Sequence, residues 1–180
     1  YSKNYSEIVD IFYGIQVTQL KNVQTKKIVS TIPETFLHMN LSVPTNKKIL
    51  ALKDCFDEYC RIEVMEGENA WLDEKSNTFN TVEKFVRFWS FPKVLAIHLK
   101  RYTNTNKKNQ TLVDFPIEQL DLSSYVVGYN PAMYQYELYG ICNHMGGTLG
   151  GHYTAYVKCD HQWFLCNDMI VTPVQDLSSM

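Results

Sequence analysis

Four glycines in six positions, Gly146, Gly147, Gly150 and Gly151, run directly into His152. The residues that follow, Tyr153-Thr154-Ala155-Tyr156-Val157, alternate aromatic with smaller side chains. Glycine weakens a helix, whereas aromatic and β-branched residues suit a pleated strand. The pattern predicts a flexible loop that delivers a histidine to the head of a strand. Trp163-Phe164-Leu165-Cys166-Asn167-Asp168 reads as the neighbouring strand, bringing a carboxamide and a carboxylate. A histidine exchanges protons near neutral pH. It does so well when a partner holds its other ring nitrogen in one tautomer. His152 is therefore a candidate acid–base residue, with Asn167 or Asp168 to orient it. The preceding glycines let backbone approach an extended substrate without side-chain collision. The plainer alternative is that His152 only begins a strand after a turn. The glycine run, the aromatic strand and the Asn-Asp pair together favour the catalytic reading.

The chain of 180 residues fits one domain and can bury a sizeable core. A net charge of −2 gives no electrostatic reason to expect nucleic acid or an anionic membrane. No apolar run approaches a membrane span, and the first residues do not read as a signal peptide. The lysine pairs Lys26-Lys27, Lys47-Lys48 and Lys107-Lys108 read as solvated turns. Five cysteines, an odd number without framework spacing, point to a reducing intracellular compartment, cytoplasmic or nuclear. Cys142 with His144 and Cys159 with His161 are each two apart and offer a rival zinc reading. Their spacing matches no common finger pattern, so no metal or other cofactor is expected.

The remaining elements follow from periodicity. Ser6 to Phe12 reads as a short helix ended by Gly14, and Ile15 to Val43 as an extended hairpin turning at Gln24 to Lys27, its second strand interrupted at Pro33. Ile49 to Arg61 is the most helical stretch, with Leu52, Phe56 and Tyr59 on one face. Val82 to Phe91 alternates as a strand. Val94 to Leu99 is nearly continuous in apolar residues, as in a strand covered on both faces, with His98 a hydrogen-bonded core residue. Thr103 to Thr111 is a polar, mobile loop. Tyr134 to Cys142, Tyr153 to Lys158, Trp163 to Cys166 and Ile170 to Val174 complete the strands. The sum is an α+β domain, a mostly antiparallel sheet with two helices.

Several motifs, in order, resemble those of the ubiquitin-specific proteases, a family of papain-like cysteine proteases. Gly150-Gly151-His152-Tyr153-Thr154-Ala155-Tyr156 resembles the family's histidine box, and Trp163 to Asp168 the box that follows. Phe91 to Tyr102, Phe115-Pro116 and Leu120 to Tyr125 are similar to the strands and turns ahead of them. The resemblance implies a papain-like palm with an extended fingers hairpin region that grips ubiquitin while its C-terminal tail threads to a nucleophile. On that basis the chain is a single partial catalytic domain, with fingers at about 15–35 and 62–90 and palm elsewhere. His152 is the implied base, Asn167 its partner and Asp168 a secondary residue. Gly150, Gly151 and Tyr153 would flank the tail, with 143–151 and 103–111 as bordering loops. The partners implied are ubiquitin or ubiquitinated proteins.

Two departures stand out. The family's cysteine box is absent, so the thumb and the nucleophile are expected N-terminal to Tyr1, and the chain alone is expected to be inactive. A catalytically inactive ubiquitin-binding or scaffold module of the same fold is the alternative. The positions where many relatives carry zinc-binding Cys-x-x-Cys pairs correspond to Asn22, Thr25, Asp73 and Ser76. The finger tips are therefore expected to be metal-free, held by strand pairing and packing.

Overall fold

The computed structural model describes residues 6–45, 47–102 and 107–177. Helix α1 (Glu7–Phe12) follows Ser6, and Lys93 forms an ion pair with its Asp10. Gly14 does not end that helix but opens strand β1 (Gly14–Asn22). A Cβ at Gly14 would lie 2.4 Å from the ring of Phe36, the residue opposite it on β2 (Ile28–Phe36). β2 runs through Pro33 instead of breaking there, because it pairs only with β1 and proline is tolerated on an edge. The break falls at Leu37–His38, before β3 (Met39–Ser42). Asn22 closes the β1–β2 tip, its side-chain oxygen accepting from the backbone N–H groups of Gln24 and Thr25 at 2.9 and 2.8 Å.

The expected helix from Ile49 to Arg61 is shorter than its apolar spacing suggests. Ile49–Ala51 is strand β4, and only Leu52–Tyr59 is helix α2. Leu50 is buried while Ile49 and Ala51 point outward, a period-two pattern inside the apparent helical one. Asp54 caps the helix start by accepting from Ala51 N–H at 2.8 Å. Two ties to Asp54, from the Lys47 side chain and from that N–H, hold its carboxyl below the usual range. Short strands β5 (Glu63–Met65), β6 (Trp71–Asp73) and β7 (Thr78–Asn80) lead to β8 (Val82–Ser90). β8 lies inside a four-stranded sheet of order β2-β1-β8-β5.

β9 (Ile97–Lys100) pairs in parallel with β3 and half-buries one face only. His98 is therefore exposed, not in the core, although it does bond Asn40 Oδ1 at 2.9 Å. β10 (Leu112–Asp114) pairs in parallel with β4. The single strand expected over Tyr134–Cys142 is split. β12 (Gln135–Tyr136) pairs with β11 (Leu120–Asp121), and β13 (Gly140–Gly147) begins a second four-stranded sheet. That sheet continues as β14 (Gly150–Cys159), β15 (Gln162–Asn167) and β16 (Ile170–Val174), each antiparallel to the last. The fold is α+β and mostly antiparallel, as the periodicity indicates, with two parallel pairings added.

The core is aromatic where α2, β8 and the 120s meet. Phe88 stacks on Phe91 with centroids 4.3 Å apart, and Phe36 and Tyr59 close around Phe88. Leu41, Leu50, Phe56 and Leu122 fill the rest. The Tyr136 hydroxyl, donating to Pro92 C=O at 2.6 Å, ties β12 to the start of the segment before β9. Among the described residues no helix is long and apolar enough to cross a membrane. Because Phe88 is fully buried, Phe88→Ala should destabilise the fold by about 3–5 kcal/mol. Urea unfolding of the full-length protein measures it.

Candidate active site

The glycine run is not a flexible loop. It is the tip of the β13–β14 hairpin, with Gly146 opposite Gly151 and Gly147 opposite Gly150. In that register Met145 faces His152, and His144 faces Tyr153. On the other side of β14, Ala155 pairs with Cys166. One step further along, Asn167 comes level with Thr154, on the face that His152 shares by period two. The His152 ring spans the remaining gap, its Nε2 lying 2.6 Å from Asn167 Oδ1. A carboxamide oxygen only accepts, so Nε2 carries the proton and donates. That leaves Nδ1 as the basic nitrogen.

Asp168 occupies the turn into β16, with φ of 49°, and is exposed. Among the described residues no hydrogen bond links it to His152. Asn167, not Asp168, therefore meets the imidazole. Gly150, Gly151 and Tyr153 line one shallow groove on the other side of the hairpin, together with Tyr102, His144, Gly147 and Thr148.

The five cysteines lie elsewhere. Cys55 and Cys60 are buried, and burial pushes both thiols up, Cys60 to about 11. Cys142 and Cys166 flank Ala155 on the face opposite His152. Cys159 and His161 cannot share a strand face, because the chain turns between β14 and β15 at Asp160 and His161, both at positive φ. Among the described residues no group of three or more His, Cys, Asp or Glu side chains is placed to hold a metal ion. The two pairs of positions expected at the finger tips hold side-chain-capped turns. Asn22 closes one, and Asp73 accepts from Lys75 N–H and Ser76 Oγ at the other.

Tyr102 and Lys108, to which the sequence alone gives no part in the site, both contact His144. Lys108 is half-buried instead of solvated, with its ammonium 2.6 Å from the carbonyl oxygen of His144. Residues 107–111 of the expected mobile loop are held down: Asn109 N–H donates to Arg101 C=O, and its side chain donates to Val43 C=O. Residues 103–106 lie outside the described residues. The only signal for Lys108 was a charged residue next to a turn, which by itself is ordinary.

A family model described as ubiquitin carboxyl-terminal hydrolase matches residues 1–179. The chain belongs to that family. It is 35% identical over 182 aligned positions to ubiquitin carboxyl-terminal hydrolase 21 of Rattus norvegicus, covering 95% of this chain and 31% of that protein. It is 33% identical to ubiquitin carboxyl-terminal hydrolase 9 of Arabidopsis thaliana, over 82% of this chain and 17% of that protein. It is 35% identical to ubiquitin carboxyl-terminal hydrolase 15 of Homo sapiens, over 74% of this chain and 14% of that protein. The chain thus spans less than a third of the length of these relatives. Among its thiols, brief alkylation of the native full-length protein should modify Cys142 and Cys159 first and leave Cys55 and Cys60 unmodified. Peptide mass mapping reads the order, and early labelling of Cys60 would contradict the burial described.

Proposed function

We propose that the chain supplies the histidine and asparagine of a deubiquitinating thiol protease, with the nucleophilic cysteine on a segment N-terminal to Tyr1. The observation that carries this reading is the 2.6 Å bond from His152 Nε2 to Asn167 Oδ1, which leaves Nδ1 free to act as base. In the proposed cycle Nδ1 takes the thiol proton, and the thiolate attacks the carbonyl carbon of the last ubiquitin glycine. The resulting imidazolium returns that proton to the departing amine as the C–N bond breaks and a thioester remains. Water, deprotonated by the same nitrogen, then attacks the thioester, and the thiol is regenerated as the carboxylate leaves. Asn167 keeps the ring oriented through both halves. It offers a dipole instead of a full negative charge, so it stabilises the imidazolium less than a carboxylate would.

The backbone of Gly150 and Gly151, which leads into His152, is the proposed border of the ubiquitin tail, since glycines leave room for an extended backbone; Tyr153, whose side chain faces the other side of the hairpin, is not assigned to it. The β2-β1-β8-β5 sheet, over about 15–35 and 62–90, is the proposed fingers, and the remainder the palm. Asp168 has at most an auxiliary role, because its turn holds it away from the ring.

The full-length protein should become covalently labelled by ubiquitin bearing a C-terminal electrophile. His152→Ala should slow hydrolysis of a ubiquitin C-terminal amide by about 10²–10⁴-fold. Asn167→Ala should cost more than Asp168→Ala, and kcat comparison reads the difference. Binding of ubiquitin without any labelling of the wild type would instead identify a non-catalytic ubiquitin-binding module.

A further inference from the structure

The ring of His144 is held from four sides. Lys108 Nζ lies 3.0 Å from its Nδ1 and also donates to its backbone oxygen. The Tyr102 hydroxyl lies 3.1 Å from the same Nδ1 and 3.4 Å from Gly147 C=O. The Tyr153 ring packs on it with centroids 4.6 Å apart. Gly151 presses from beneath, since a Cβ there would come within 2.1 Å of His144 Nε2. An ammonium has donors and no acceptor. Nδ1 must therefore offer a lone pair to Lys108, which fixes His144 as the neutral tautomer with its proton on Nε2.

His144 points to the face of the hairpin opposite His152, so it does not touch the reacting atoms. What it does touch are the residues on either side of His152, namely Gly151 and Tyr153. The clamp thereby joins the chain around Tyr102 and Lys108 to the backbone that carries the base. We propose that Lys108 and His144, with Tyr102, are positioning residues that fix the Gly151–Tyr153 backbone and so aim the His152 imidazole. The proposal rests on the deubiquitinase reading above.

The test uses the full-length protein and a ubiquitin C-terminal amide substrate. Lys108→Met keeps the aliphatic stem and removes the ammonium. His144→Phe keeps a flat ring and removes the acceptor, whereas His144→Asn keeps an acceptor near the place of Nδ1. Lys108→Met and His144→Phe should each lower kcat about tenfold, as a small misplacement of a reacting group does. KM should change little, and the unfolding midpoint should stay put. His144→Asn should recover most of the rate, and the double variant Lys108→Met with His144→Phe should be no slower than either single one. Long-range proton–nitrogen spectra should find the His144 proton on Nε2, a readout that needs no activity. Unchanged kcat in Lys108→Met, losses that multiply, a parallel fall in the unfolding midpoint, or a proton on Nδ1 would each overturn the clamp while leaving the deubiquitinase reading intact. A wild-type protein that hydrolyses nothing would overturn that reading and the positioning role together.

Discussion

Strand register governs the site. Side chains on a strand alternate between faces, so a slip of one residue in the β13–β14 or β14–β15 pairing would reverse every assignment. His152 would turn to the face now held by Tyr153, and Asn167 would have nothing to meet. The pairing of Ala155 with Cys166 and of His144 with Tyr153 prevents this. The interior of that sheet adds weight, because Tyr156 and Trp163 are both buried and cannot be moved to solvent cheaply. The geometry of His152 and Asn167 is thus a by-product of where two aromatic side chains are buried.

The meeting of His152 with Asn167 was readable in the sequence, and the reasons are local. His152 and Asn167 sit on adjacent strands joined by a short turn, so pairing along the chain brings them together. Period-two alternation in β1, β8 and β14 was equally plain. The misreadings came where one pattern hid another. Ile49, Leu52, Phe56 and Tyr59 fit a helix, but Ile49 and its neighbours were claimed by Leu112–Asp114, more than sixty residues away. The glycine run looked like a loop because nothing in a string of glycines says that its backbone will pair. Val94 to Leu99 looked doubly covered, yet in Ile97–Lys100 half-buried positions alternate with exposed ones. Lys108 was invisible because its partner lies thirty-six residues on.

The two sides of the β13–β14 hairpin divide the labour. One side carries His152, the proposed base, and its amide partner, the other a set of aromatic and cationic contacts to the chain around residue 102. A reaction that needs an imidazole aimed to within a fraction of an ångström gains from support that stays clear of the chemistry. The same division explains why Gly151 must lack a side chain: the His144 ring and the Met145 carbonyl oxygen on the neighbouring strand already occupy its surroundings.

Pro33 has a consequence for behaviour in concentrated solution. β2 is an open edge, and it exposes Ile28, Val29 and Ile32. Such a strand invites another molecule to add its own strand and so begin a stack. Pro33 removes one donor from the middle of that edge, and its ring obstructs close approach. A neighbouring chain can therefore align over only a few residues before the ladder fails. The residue that looked like an interruption in a strand works as a guard against self-association.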